Sequence, residues 1–350
     1  MTNSPVHSPI HEPSIPARTA EQDQFAASLH DLLSPGAPDA ARRWAAGDHS
    51  PGLALWRELA RLGVTGLAVP LRWGGLGANP MDVVVACEEL GHHALPGPAA
   101  ESLAAVPVLL AALGDDAVCE KWLPGLASGE VVATLALPPR LPLAVDADVA
   151  GLAVVAGAHA VHEGTPGIRH RSVDGARWLF ELSPSRELAS GPAAVRACSA
   201  ALEIGTLASA AQLLGAGQAL LDQTVRHAGQ RVQFGRPVGA FQAVQHRLAD
   251  VAIGLEFARP LLYAAAIALG SGQPTAARDV SAAKVACADA AHRAARAALQ
   301  VHGAIGYTQE LDLGLWLAKV RALLPAWGSQ AEHRALVLEA LTADAESAWS

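Results

Sequence analysis

Between Thr19 and about Leu126 apolar residues recur three or four apart, as in AEQDQFAASLHDLL, PGLALWRELARLG and MDVVVACEELGHHAL, each run closed by glycine or proline. That spacing predicts amphipathic helices. From Glu130 to about Arg196 the period shortens: VVATLALP, VAGLAVVAGAHAVH and ARWLFELS read as strands separated by Pro, Gly and Asp. After Ala197 helical spacing returns over residues 201–230, 244–270, 276–303 and 313–341, joined by short connections. Four such segments predict an antiparallel four-helix bundle. Pro260, inside the second, is expected to kink or end it. The fold class is therefore mainly α with a small β-domain. The expected order is a disordered tail (1–18), an N-terminal helical domain (19–128), a reduced β middle domain (129–197) and a C-terminal bundle (198–346).

Composition sharpens this picture in only a few places. Apolar residues make up 51% of the chain and aromatic residues 4%, which suits small-residue helices packed closely. The net charge of −8 comes from interspersed acids and bases with no long basic run, so nothing points to a nucleic-acid partner. The cysteines Cys87, Cys119, Cys198 and Cys287 are scattered in apolar contexts without metal-ligand spacing, and read as buried thiols of a reducing cytoplasm. No metal site is read. The N-terminus lacks the basic and apolar regions of a signal peptide, and the apolar run 103–113 is too short to span a bilayer. The glycine-rich stretch VTGLAVPLRWGGLGANP lacks the order of a dinucleotide fingerprint and reads as a tight structural turn.

The bundle carries two distinctive strings. RVQFGRPVGAFQAVQHRLADV resembles the R-x-x-F-G segment of the acyl-CoA dehydrogenase family, and AAKVACADAAHRAARAALQVHGAIGYTQE resembles that family's Q-x-x-G-G segment. ELGHHALPGP fits the end of a helix in its first domain. The resemblance implies an FAD-dependent enzyme that removes a proton from Cα and a hydride from Cβ of an acyl-CoA thioester. It further implies that Arg231 and Gln300 reach the adenosine diphosphate half of the FAD in a neighbouring subunit, with Gln233, Phe234, Gln242, Val244 and Gly303 along the same arm. A guanidinium suits a diphosphate because it donates bidentately. Ala304 stands at the second glycine of Q-x-x-G-G. Read without the family, Arg231 could interact with the last carbonyls of its helix and Gln300 could be an ordinary surface amide.

The base is the departure. In most of the family a Glu lies twenty-seven residues beyond the glutamine, and here that position is Trp327, whose indole has no basic lone pair. Some members place it twenty-six residues before the arginine, and here that position is Gly205, followed by Thr206 where the family has arginine. Glu203 lies about 200° of helical rotation from Gly205, nearly on the opposite face. The β-domain also lacks the T-E-P-x-x-G-S and W-I-T-N segments that hold the flavin ring in the family. The resemblance thus extends to the base-less subunit of actinobacterial heterotetrameric (α2β2) acyl-CoA dehydrogenases of sterol side-chain breakdown, whose homologous partner carries the Glu and the acyl-CoA pocket. Two rivals stay open: a homomeric enzyme using a base such as Glu203, and a scaffold that kept the fold and lost the cofactor.

Overall fold

A computed structural model describes residues 15–308 and 311–348. Most of the expected tail, residues 1–14, and Gln309 and Glu310 of the second string lie outside the described residues. Six helices come first: α1 (Ala20–Leu33), α2 (Ala37–Ala45), α3 (Ser50–Arg61), α4 (Pro80–His92), α5 (Val106–Leu113) and α6 (Asp116–Ser128). Their starts are chemically marked. Thr19 and Gln22 form a reciprocal capping box on α1, while Asn79 and Asp115 accept from the first free amides of α4 and α6. A π-helical turn, Glu101–Ala105, runs directly into α5.

Five strands follow, β1 (Ala133–Ala136), β2 (Ala144–Val145), β3 (Leu152–Ala156), β4 (Ala160–His170) and β5 (Leu179–Ser190), in the spatial order β1-β3-β4-β5-β2. β1 and β3 are parallel; the other pairs are antiparallel. β1 is buried along its whole length, whereas β4 turns outward over its second half. Both edge strands, β1 and β2, are thus buried, and the sheet faces solvent along the outer stretches of β4 and β5 between them.

The remaining helices are α7 (Pro192–Gln230), α8 (Gln242–Gly270), α9 (Ala276–His302), α10 (Leu313–Leu323) and α11 (Gln330–Ala348), with a short hairpin of β6 (Val232–Gln233) and β7 (Arg236–Pro237) between α7 and α8. α8 continues through Pro260 without ending there. The stretch expected as one helix over 313–341 is instead two. Pro325 removes an amide donor, and Trp327 and Gly328 adopt left-handed φ values of +63° and +101°, which no helix continues. Ser329 and Glu332 then restart α11: each side chain takes the other residue's backbone amide.

α7 is the axle of the molecule. It packs against α4, α5, α8, α9 and α10, and most of its side chains are buried. It meets α4 backbone to backbone, because a Cβ on Gly91 would overlap the Gln212 carbonyl and one on Gly215 would overlap the Glu88 carbonyl. α7 and α8 are long and apolar enough to span a bilayer, a length the run 103–113 does not reach, yet 78% of the apolar window of α7 is buried in the fold. Arg18, assigned to the tail by sequence, is tied down: it donates to Tyr263 Oη at 2.8 Å and to Glu88 Oε2 at 2.6 Å, and Arg259 pairs with the same carboxylate. All four cysteines are buried free thiols, and burial pushes Cys87 and Cys287 up to about 12.

Candidate functional site

Where α7 stops, the chain becomes an arm. Arg231 leaves the helix in an extended conformation, its amide donating to His227 O and its carbonyl accepting from Val238 N, both at 2.8 Å. At the tip Phe234 and Gly235 both take positive φ, +51° and +78°, the requirement of a tight two-residue hairpin. Phe234 is 93% exposed and Arg236 lies 4.1 Å over the ring of Phe241. Arg231, Gln233 and Gln242 are exposed and Val244 is half-buried. Gln300 is exposed at the end of α9, which Gly303 terminates at φ +64° with open space where a Cβ would stand. Stacked imidazoles of His227 and His302, 4.1 Å apart, join the two helix ends and so bring the Arg231 and Gln300 turns together. Burial, with His302 and Arg231 nearby, pushes His227 down.

A second feature was not legible in the sequence. A cleft of about 810 Å³ opens between the sheet and the α10–α11 junction, and Arg140, Arg171, Arg177 and Arg321 line it, with Glu332 the one acid among the described residues that line it. A volume of that size holds a cofactor-sized ligand, and four guanidinium groups suit an anionic one. None of the arm residues lines it. The exposed guanidinium and amide of the arm and the open backbone at Gly303 are groups that would suit the diphosphate of a cofactor such as FAD, and the basic cleft is a separate surface of the same chain suited to an anion.

Beside the cleft, Trp327 is 1% exposed and its carbonyl accepts from the His333 imidazole across 2.9 Å. The six-membered ring of its indole packs against α7 at Gly205: a Cβ there would overlap Cζ3 and Cη2 and sit 2.7 Å from Cε3. The indole N–H is directed to the carboxyl of Glu101, which burial pushes up against the opposing pull of Arg177. Glu101 is 3% exposed and does not line the cleft. Lys284 fixes the end of α10 to α7, donating to Ser209 Oγ at 2.8 Å and Leu323 O at 2.9 Å, and burial pushes its amine down to about 7. Glu203 opens elsewhere, into a cavity of about 380 Å³ shared with Thr206, Arg278 and His333, and burial pushes its carboxyl up.

Two family descriptions match the chain: "Acyl-CoA dehydrogenase, N-terminal domain" over residues 19–130 and "Acyl-CoA dehydrogenase, C-terminal domain" over 195–342. The acyl-CoA dehydrogenase IpdE2 of Mycobacterium tuberculosis is 32% identical over 285 residues, 81% of this chain and 85% of that protein. The chain belongs to the acyl-CoA dehydrogenase family. IpdE2 of Mycolicibacterium smegmatis is 29% identical over 80% of this chain and 85% of its own length. Among solved structures, butyryl-CoA dehydrogenase from Megasphaera elsdenii superposes with a TM-score of 0.79 at 23% identity, covering 93% of this chain and 99% of that one. A variant of the steroid acyl-CoA dehydrogenase Tcur3481-Tcur3483 gives 0.80 at 23%, covering 94% and 99%. At that identity the structures establish the shared acyl-CoA dehydrogenase fold.

Within the acyl-CoA dehydrogenase frame, the structure gathers Arg231, Gln233, Phe234, Gln242 and Val244 on one projecting element and sets Gln300 and Gly303 at its base. It brings Trp327 and Gly205, distant in sequence, into contact. Glu203 stays apart from both. The glycine-rich stretch is closed on itself, because Leu76, Gly77 and Ala78 donate to the carbonyls of Gly66, Val69 and Leu67, each at 2.8 Å. Those amides are spent and leave none for a phosphate. Glu101 and the arginine cleft are what the sequence reading missed: a buried acid in an apolar helix carries no spacing signal, and the four arginines come from three separated segments.

Proposed function

We propose that this chain is a subunit of an FAD-dependent acyl-CoA dehydrogenase that completes the FAD site of a homologous partner, most simply in an α2β2 assembly, while the partner supplies the Glu base and the acyl-CoA pocket. The observation that carries the proposal is the contact between Trp327 and Gly205. The two positions from which the family presents its base meet here, and the indole of Trp327 fills the space at Gly205. Alpha-proton removal requires a carboxylate beside Cα, and neither residue can provide one.

When bound, FAD supplies the acceptor for the hydride. This chain's part is to hold it: Arg231 neutralises diphosphate charge, Gln300 donates from the base of the arm, and Phe234 and Val244 shield the contact from water. The dehydrogenation would be α,β-oxidation of an acyl-CoA thioester in the cytoplasm. A steroid-derived CoA ester is the class supported by the steroid acyl-CoA dehydrogenase among the structural neighbours. A second reading, a self-sufficient enzyme, draws on Glu203, whose raised pKa suits a base; its placement in the other cavity speaks against it.

The test is the visible spectrum and turnover of the chain purified alone and co-expressed with a homologous subunit. The assembly should be yellow and dehydrogenate acyl-CoA esters with an artificial electron acceptor, and Glu203→Gln in this chain should leave that rate nearly intact. One FAD per chain and turnover from the protein alone would overturn the proposal.

A further inference from the structure

The last turn of α1 and the end of α4 bring His30, His92 and His93 together, with one nitrogen of each imidazole within 4.8 Å of the others. Glu89 stands against two of them, His30 and His93. His30 Nδ1 lies 3.1 Å from His93 Nε2 and 3.4 Å from Glu89 Oε2, and His93 Nε2 lies 3.8 Å from that same oxygen. The placement follows from helical periodicity, since Glu89, His92 and His93 stand at i, i+3 and i+4 on one face of α4. The three rings also converge, with centroids 4.6, 5.0 and 5.3 Å apart. The cluster opens onto a cavity of about 380 Å³ that Gln223, Arg226 and Asp312 also line, and shares no residue with the arginine cleft or the arm.

Hydrogen bonding alone accounts for this geometry poorly. His30 Nδ1 faces both a nitrogen and a carboxylate oxygen at bonding distance, so a single N–H there would be split between the two and aligned well with neither. With a proton on both facing nitrogens the hydrogens collide; with none, three lone pairs converge on one point. A cation at that point satisfies all three at once. Four-coordinate zinc with bonds of about 2.0–2.1 Å has ligand–ligand edges of about 3.3 Å, and the observed edges of 3.1, 3.4 and 3.8 Å bracket that value. Imidazole and carboxylate donors suit the borderline divalent metals.

We propose that His30, His93 and Glu89 bind one divalent transition-metal cation of the zinc class, with the cavity side open to a fourth ligand. The site would cross-link α1 to α4 within the N-terminal helices. It is independent of the FAD reading, because no residue is common to the two.

Tag-free full-length protein, stripped with a chelator, is titrated with zinc against a chromophoric competitor. One zinc per chain should be taken up, and Tm should rise with free zinc as binding to the folded state requires. His30→Ala removes a side chain that is 49% exposed, so the fold should survive it. It and Glu89→Gln should each weaken zinc binding beyond the about 100-fold that losing an outer-sphere contact costs. Replacing the exposed His159 with Ala should change nothing. Cobalt in place of zinc should give a tetrahedral visible spectrum in the wild type and lose it in His30→Ala. Failure of the wild-type chain to take up zinc, or uptake that survives both substitutions, would overturn the site and leave a histidine–histidine hydrogen bond in its place.

Discussion

If the indole of Trp327 is wedged against α7, Gly205→Ala should be costly only while the indole is there. The new methyl would overlap two ring carbons and lie 2.7 Å from a third. The ring has little freedom to retreat: Trp327 is 1% exposed, and its backbone is held in a left-handed turn with its carbonyl bonded to His333. Overpacking of this kind costs about 1–3 kcal/mol, against a gain of up to about 1 kcal/mol from replacing glycine inside a helix. Trp327→Ala should cost about 3–5 kcal/mol by leaving a cavity. In that background Gly205→Ala meets no ring, keeps only its helical gain and becomes neutral or stabilising by up to about 1 kcal/mol. The helical gain cancels between the two backgrounds, so the changes should couple by the overpacking cost, about 1–3 kcal/mol. Urea midpoints for the four proteins, followed by circular dichroism at matched m-values, measure this directly. Additivity within about 0.5 kcal/mol would show that the indole does not press on Gly205 in solution. The argument that this corner is closed to a carboxylate would then fail.

Two further outcomes follow from other parts of the molecule. Arg231→Ala should leave the isolated chain's stability unchanged, since Arg231 is exposed, but should loosen FAD in the assembly by about 1.5–3 kcal/mol per lost charged hydrogen bond; unaltered occupancy on dilution would refute the arm's role. Asp146 is fully buried, accepts the Trp178 amide at 2.9 Å, and is pushed up to about 7 by burial, whereas an unfolded Asp titrates near about 3.9. The folded state thus holds its proton across that window, so stability should fall as pH rises from 4 to 7 and level off above. Asp146→Asn should remove that fall, and the Tm gap between variant and wild type should widen from pH 5 to pH 7; a constant gap would contradict it.

Much of this fold could be read in advance because its boundaries are local. Thr19 with Gln22, Asn79 before Pro80, and the change from helical to alternating spacing near Glu130 each act over a few residues. The break at Trp327 was also written locally, in Pro325 and in the Ser329-x-x-Glu332 signature, but apolar spacing continues across it and outweighed them. The early start of α7 at Pro192 was obscured by the small residues at its head. What could not be read is what the topology assembles. The indole on Gly205, the four arginines of the cleft, and His30 opposite His92 and His93 each join distant segments, and no spacing rule links residues on different elements.

The crossing of α4 and α7 has a mechanical consequence. Packed helices ordinarily slide past one another by small rotamer adjustments, which let a protein shear without losing contact. At Gly91 and Gly215 there are no side chains to adjust, and carbonyl meets backbone at two points nearly a turn apart. The two helices are riveted and turn as one lever. Any shear of the sheet against the bundle must then be taken up away from this crossing. Hydrogen exchange should find the amides of α4 and α7 around the rivet among the slowest in the molecule, and the two helices should open together rather than one before the other.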